Sequence, residues 1–171
     1  NSNPVNLFHE CVLGNDNGWS GECQTNSVSI SGDGEYIAGL VGTELKLFHR
    51  SSSTPLWTNG LGSNTDAPAV AISADGKYIV VGARCDACDD VYFFSRDSST
   101  PIWKDAISSG GSVTSVDISA DGSFITAVCS TSSSSSPSLY LYGKYNNTPI
   151  WSSTEPSTEG SVAISEDGKY I

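Results

Sequence analysis

Two cysteines, Cys85 and Cys88, are separated by two residues. This spacing suits a disulfide, half of a zinc site or a redox pair. Zinc would need two further ligands, and the two histidines of the chain, His9 and His49, fall in strand-like segments elsewhere. A redox pair normally lies at the N-terminus of a helix, and the sequence predicts no helix here. We therefore expect a small disulfide that closes a loop, with two free thiols as the alternative.

A second cysteine pair, Cys11 and Cys23, flanks Trp19 in an irregular N-terminal segment. A disulfide between them would hold a loop that lacks the Thr-Pro sequence preceding the other tryptophans. The fifth cysteine, Cys129, follows an apolar, strand-like run, and we expect it to be a buried thiol.

Other candidate chemistry is weak. Residues 15–17, Asn-Asp-Asn, could contribute to a calcium site, but one oxygen-rich turn falls short of the six or more ligands that calcium takes. His9 and His49 have no serine or carboxylate at a spacing typical of a catalytic triad, so no catalytic residue is predicted. Asn146 begins an acceptor pattern for N-glycosylation, although the proline that follows the pattern disfavours its use.

A repeat defines the elements that would position these residues. The phrase Ser-x-Asp-Gly-x-(Tyr/Phe)-Ile occurs at residues 31–37, 73–79, 119–125 and 165–171. Its aspartates are 42, 46 and 46 residues apart. A second phrase, Thr-Pro-(Leu/Ile)-Trp, follows the first three copies at residues 54–57, 100–103 and 148–151. Periods of about 40–50 residues built from short strands are typical of propeller blades.

One unit can be divided into four strands. Residues 70–73 lead into an Asp-Gly turn, residues 77–82 continue as a second strand, and residues 91–94 and 101–103 supply the third and fourth. The sequence therefore predicts an all-β fold, a β-propeller of four-stranded antiparallel blades. Whole blades are expected at residues 26–57, 69–103 and 112–151. One tryptophan per unit at fixed spacing indicates packing between blades rather than a stacking surface for a ring-shaped cofactor or a sugar, and no cofactor or metal is predicted.

The two ends of the chain are predicted to be complementary half-blades, so that residues 1–171 form a single propeller domain or segment. Residues 1–25 supply a third and a fourth strand plus a loop, and residues 160–171 supply a first strand and the start of a second. The halves could meet within one chain as a four-bladed ring, between copies as a two-chain ring or a fibre, or through further blades of a longer propeller. A strand-sharing interface would use the apolar residues Val5, Leu7, Phe8, Val162 and Ile164.

Composition limits the classes of function. The 171-residue chain has a formal net charge of −11, which argues against nucleic acid because phosphates need a basic surface. No apolar run approaches the roughly 18 residues of a membrane span, so no membrane insertion is predicted. The sequence has no methionine, from which we expect that a leader was removed or that the sequence is a segment. Acidity and cysteine usage together favour an extracellular or cell-surface location.

The repeats resemble a known family. Residues 115–122, 91–94 and 98–103 are similar to the WD-repeat-like and PQQ-like propeller repeats of archaeal and bacterial surface and secreted proteins. The Gly-His and Trp-Asp pairs typical of WD repeats are missing, as are the full ring of blades and the cofactor ligands of quinoprotein dehydrogenases. The resemblance implies a scaffold or recognition role.

These observations predict a non-enzymatic, extracellular β-propeller scaffold for protein interaction or self-assembly at a cell surface. Its partner would be a protein, and copies of the chain itself are candidates. The variable loops at residues 84–90 and 130–137 and the open strand edges are the expected contact regions. The alternative is a quinoprotein-like enzyme or a sugar-binding propeller, which would need polar residues from several blades around a central pocket.

Overall fold

The structure is a computed structural model, and it describes residues 25–62, 66–85, 88–107, 112–130, 138–154 and 160–171. All regular elements in these ranges are β-strands. In chain order they are β1 (Thr25–Ile30), β2 (Tyr36–Val41), β3 (Glu44–His49), β4 (Trp57–Gly60), β5 (Asp66–Ile72), β6 (Tyr78–Cys85), β7 (Cys88–Ser95), β8 (Pro101–Ile107), β9 (Ser112–Ile118), β10 (Phe124–Ser130), β11 (Leu139–Gly143) and β12 (Pro149–Ser153).

The strands form three antiparallel sheets of four, in the orders β1-β2-β3-β4, β5-β6-β7-β8 and β9-β10-β11-β12. We call them blades 1, 2 and 3. Each is a simple meander, which confirms the predicted four-stranded unit. The fourth strands continue past their tryptophans to Gly60, Ile107 and Ser153, because pairing with the third strand does not stop at the tryptophan.

The hairpin of β6 and β7 is longer than the sequence suggested. Residues 84–90 were expected to form a surface loop, but pairing extends to Cys85 opposite Cys88. Asp90 is only 2% exposed and lies within β7. Ala83 of β6 and Val91 of β7 are also buried, so this end of the hairpin is part of the packed blade.

Two apolar clusters fill the spaces between neighbouring blades. Leu40 and Leu47 of blade 1 pack with Val70, Ile79 and Val81 of blade 2. The second cluster joins the opposite face of blade 2 to blade 3. Its members include Val80, Phe93, Val113, Val116 and Ile125. Successive β6 residues therefore point into different clusters, as expected of a strand buried on both faces. Each buried side chain of this size stabilises the fold by about 1.5–3 kcal/mol.

Residues 160–171 form the fourth copy of the Ser-x-Asp-Gly turn without regular strands. Ser165 donates its amide to the carbonyl of Tyr170 at 2.9 Å, and Gly168 donates to the carbonyl of Ser165 at 2.8 Å. The carbonyl of Glu166 accepts the amide of Ala120 at 3.0 Å, which ties the turn to blade 3. The other predicted half-blade, residues 1–25, lies outside the described residues except for Thr25.

Candidate functional site

The repeated aspartates organise their own turns. Ser31 Oγ donates to Asp33 Oδ1 at 2.6 Å, Asp33 Oδ1 accepts the amide of Glu35 at 2.9 Å, and the amide of Tyr36 donates to Ser31 Oγ at 3.0 Å. Gly34 adopts a φ of 71°, which only glycine adopts without strain. The same serine-to-aspartate bond recurs between Ser73 and Asp75, Ser119 and Asp121, and Ser165 and Asp167. The carboxylates are used as turn residues, as the sequence indicated.

These hydrogen bonds favour the ionised carboxylates. The Ser31 hydroxyl, and then the Glu35 amide, hold the pKa of Asp33 below its usual value. At Asp75, burial alone would raise the pKa, but the hydrogen bonds from Ser73 and Lys77 together lower it. Within the described residues, no group of three or more acidic, histidine or cysteine side chains could hold a metal ion. The calcium alternative at residues 15–17 lies outside them.

Three of the four turns also contact the preceding blade. A Cβ added to Gly76 would lie 3.0 Å from the ring of Tyr36 in blade 1, so the ring lies directly on the glycine. The same close contact joins Gly122 to Tyr78, and Gly168 to Phe124. The turns are further joined through the main chain, because the amide of Gly32 donates to the carbonyl of Ala74 at 2.9 Å. We call this aromatic-on-glycine contact the junction contact.

A cation and an indole complete the two junctions that join blades 1, 2 and 3. The Arg96 guanidinium of blade 2 lies 4.4 Å from the ring centroid of Tyr36, and its backbone carbonyl accepts Trp57 Nε1 at 2.6 Å. Between blades 2 and 3, Lys144 lies 4.6 Å over Tyr78, and its carbonyl accepts Trp103 Nε1 at 3.0 Å. The indoles also contact the next blade: the ring centroids of Trp57 and Phe94 are 5.9 Å apart, and those of Trp103 and Tyr142 are 5.4 Å apart. Packing of these two tryptophans between blades is therefore confirmed.

Blade 2 contains a polar cluster that the repeat does not account for. Lys104 Nζ lies 2.6 Å from Asp90 Oδ2, and the Tyr92 hydroxyl lies 3.1 Å from the same oxygen and 3.2 Å from the carbonyl of Leu61. The hydrogen bond to Asp90 raises the pKa of Lys104, and burial raises that of Tyr92. The sequence analysis missed this cluster because it placed Asp90 in a loop. The ion pair joins strands β7 and β8, with a buried Asp90 carboxylate and a Lys104 side chain that is 44% exposed.

His49 has partners that its sequence spacing did not indicate. Its Nε2 lies 3.1 Å from a Glu35 carboxylate oxygen, and its Nδ1 lies 2.7 Å from Ser51 Oγ. The other oxygen of Glu35 binds Arg50 Nε at 3.1 Å. Ser51, His49 and Glu35 are bonded in the order of the serine, base and acid of a catalytic triad. However, Ser51 is exposed and bonds to His49 within one short turn. We therefore interpret this group as a surface hydrogen-bond network. His9 lies outside the described residues.

The exposed face of blade 1 differs from the faces at the internal junctions. Val28 and Ile30 of β1 are 53% and 58% exposed, whereas Val70 and Ile72, at the same repeat positions of blade 2, are each 7% exposed. The corresponding residues of blade 3, Val116 and Ile118, are 8% and 7% exposed. We call Val28, Ile30 and the neighbouring Gly34 turn the open face. Among the described residues, it carries the apolar side-chain types that are buried at the internal junctions.

Only part of the predicted strand-sharing interface falls within the described residues. Val5, Leu7 and Phe8 lie outside them. The amide of Val162 donates to Ser115 Oγ at 3.1 Å, and that of Ile164 donates to Asp117 Oδ2 at 2.8 Å. The same pattern joins β5 to β1, where Val70 and Ile72 donate to serines Ser27 and Ser29 at 3.2 Å each. Residues 160–171 therefore bond to β9 of blade 3 in the same way that β5 bonds to β1.

The remaining predicted sites stay predictions. Cys11 and Cys23 lie outside the described residues. The backbones of Cys85 and Cys88 pair directly opposite each other, and their side chains lie outside what the structure describes. Asn146 is exposed, and its Oδ1 accepts the amide of Thr148 at 3.0 Å within its turn.

Comparison with known proteins supports the fold. Neither a protein-family model nor a curated protein matches the sequence. The chain is similar to a chain in the crystal structure of the mitotic checkpoint complex, with a TM-score of 0.66, 18% identity and coverage of 85% of this chain. It is also similar to Kuenenia stuttgartiensis hydrazine synthase, with a TM-score of 0.64, 18% identity and coverage of 91%. The chain spans 44% of the length of each.

Both similar structures contain β-propellers, and the three meander sheets of this chain have the same arrangement. The fold is therefore a β-propeller of four-stranded antiparallel blades. One of the two similar structures is a protein complex and the other an enzyme, so the fold by itself carries no function. The described residues contain no helix long and apolar enough to cross a membrane.

Proposed function

We propose that this chain is a non-enzymatic β-propeller scaffold that works by protein–protein contact, outside the cell or at the cell surface. The observation that carries the proposal is the open face of blade 1. Val28 and Ile30 keep more than half of their surface exposed there, although the same repeat positions are buried at both internal junctions. Neighbouring exposed apolar side chains of this kind support a role for this face in binding another protein.

Two further observations favour a binding role. Repeated polar groups, such as those of Ser31, Asp33 and Trp57, bond within turns and across blade junctions. The quinoprotein-like or sugar-binding alternative would use exposed aromatic faces, but Trp57 and Trp103 stack on the neighbouring blade. The net charge of −11 and the closely spaced cysteines support the extracellular location.

Hydroxyl-radical footprinting tests this function. The protein is labelled as it occurs in its natural source, before purification. The reactivity of each residue is then normalised to that of the same residue in the urea-unfolded chain. Leu56 and Ile102 are matched controls, because they are 52% and 49% exposed but lie on or beside the outermost strands. A scaffold predicts several-fold lower reactivity at Val28 and Ile30 than at the controls. Equal reactivity at all four residues would refute a protein partner on the open face.

A further inference from the structure

The threonine of each Thr-Pro-(Leu/Ile)-Trp phrase has a hydroxyl that the fold does not use. Thr54, Thr100 and Thr148 are all exposed. Within the described residues, none of the three hydroxyls makes a hydrogen bond. The backbone beside them is held, because the amide of Thr54 donates to Ser52 Oγ at 3.0 Å and both later copies have the same bond to a side-chain oxygen two residues earlier. Each hydroxyl is therefore presented to solvent from a fixed turn.

The threonine recurs although the residues before it change. They are Ser-Ser-Ser at 51–53, Asp-Ser-Ser at 97–99 and Tyr-Asn-Asn at 145–147. The proline after the threonine favours an extended backbone, and a β-branched side chain suits that conformation. Valine has the same branched shape and would satisfy both requirements. Three hydroxyls without a role in the fold therefore indicate a use for the oxygen itself.

Charge decides between the two groups that such an oxygen commonly carries, phosphate and sugar. The chain already has a net charge of −11, so a phosphate would add to its self-repulsion. The cation four residues before each threonine is engaged elsewhere. Arg50 binds a Glu35 carboxylate oxygen at 3.1 Å, and Arg96 and Lys144 lie over aromatic rings of the preceding blade. A neutral sugar needs no cation beside it.

We propose that Thr54, Thr100 and Thr148 are O-glycosylation sites. Serine- and threonine-rich segments with proline are typical of O-glycosylated proteins. In the transfer, threonine Oγ1 attacks the anomeric carbon of a sugar that is activated as a nucleotide or lipid phosphate ester. The bond from Oγ1 to that carbon forms as the bond from the carbon to the phosphate oxygen breaks. The phosphate leaves with the electron pair, and the hydroxyl proton passes to a base of the transferase.

The position of the sites gives the sugars a physical role. Each threonine precedes the fourth strand of its blade, and β4, β8 and β12 each have one neighbouring strand in their sheets. An exposed strand edge can pair with the edge of another molecule. A bulky, hydrated group at the start of each edge would block this pairing. The inference goes beyond the proposed function, because it concerns the outer strands and not the open face of blade 1.

Peptide mapping of the protein from its natural source tests the proposal. Fragmentation by electron transfer keeps side-chain groups attached and locates them. We expect one or more sugar residues on Thr54, Thr100 and Thr148, and their loss in the mild alkali that eliminates sugars linked through threonine oxygen. Thr43 and Thr58 are matched controls, because both are exposed but neither precedes a proline. They should carry no sugar.

Two variants produced in the natural source sharpen the test. Pro101→Ala keeps the Thr100 hydroxyl but removes the constraint on its backbone. Sugar occupancy at Thr100 should therefore fall several-fold, while the other two sites keep theirs. In a double variant, Thr54→Val with Thr100→Val, the footprinting controls Leu56 and Ile102 have no sugar beside them, so the two tests can fail separately.

Unmodified threonines at all three sites in the natural protein would overturn the proposal. Phosphate in place of sugar, or equal sugar occupancy at the control threonines, would overturn it as well. The scaffold function would still stand in each case if footprinting found Val28 and Ile30 protected.

Discussion

The indole Nε1 of Trp57 donates a 2.6 Å hydrogen bond to the backbone carbonyl of Arg96, a residue of the next blade. Trp103 makes the equivalent bond to the carbonyl of Lys144. The acceptor is a main-chain atom in both cases, so the bond does not depend on the identity of the acceptor side chain. Trp57 and Trp103 are therefore junction residues as well as strand residues.

Trp103→Phe is expected to destabilise the chain by about 1–2 kcal/mol, because it removes the hydrogen bond and part of the buried ring while keeping an aromatic contact with Tyr142. Trp151→Phe is the control, since Trp151 is 40% exposed and its change should stay within about 0.5 kcal/mol. Urea unfolding followed by circular dichroism measures both. Equal effects would show that the indole bond is not a source of junction stability.

Gly122→Ala is expected to destabilise the chain more than Gly34→Ala. Both glycines have a φ of 71°, so the backbone strain of about 1–2 kcal/mol is common to the two variants. Only at Gly122 would the new methyl group collide with a ring, that of Tyr78, which adds about 1–3 kcal/mol. The difference between their unfolding free energies in urea isolates the junction contact. A difference near zero would contradict it.

Asp75→Asn is expected to reduce the loss of stability in acid. The folded-state pKa of Asp75 is lowered from 3.8, so its stabilisation is complete above that pH and is lost as pH falls below it through the folded value. Asparagine keeps the acceptor oxygen for Ser73 and Lys77 but does not titrate. Urea midpoints between about pH 5 and about pH 2.5 should fall less steeply in the variant than in the wild type. Asp97→Asn, at a side chain that is 83% exposed, is the control.

Lys104→Met is expected to cost about 1–3 kcal/mol, because it leaves the buried carboxylate of Asp90 without its cation. The double variant with Asp90→Asn removes the buried charge too and should recover much of the loss. Lys46→Met tests a surface pair for comparison, since Lys46 contacts the half-exposed Glu44 at 3.3 Å; its cost should stay below about 0.5 kcal/mol. Thermal or urea unfolding measures all three. A double variant as unstable as the single one would argue against the ion pair.

The blade architecture was predictable because it depends on local turn and strand sequences, and the turn sequence occurs four times in the chain. An Asp-Gly pair after a short apolar strand requires a tight turn, and constant spacing from turn to tryptophan requires constant packing. The junction contact was not predictable from spacing, because Gly76 and Tyr36 are adjacent only when two blades pack against each other. One signal was present: the turn glycine and the aromatic two residues after it occur together in every copy of the phrase.

The features specific to one blade could not be predicted for a different reason. Asp90 and Lys104 occupy positions that are Glu44 and Thr58 in blade 1, so no repetition marks them. Their partnership depends on where the hairpin of β6 and β7 ends, and this is set by tertiary packing. The exposure of Val28 and Ile30 could likewise not be predicted from the sequence, since both have the residue types of buried positions.

Part of each junction between blades is made by main-chain atoms. The tryptophans bond to carbonyl groups, the aromatics lie on glycine backbone, and Gly32 bonds to the carbonyl of Ala74. A duplicated unit of 46 residues therefore brings the main-chain contacts of a junction to both of its faces. We expect that gain or loss of one whole unit would keep these main-chain contacts at the new junction.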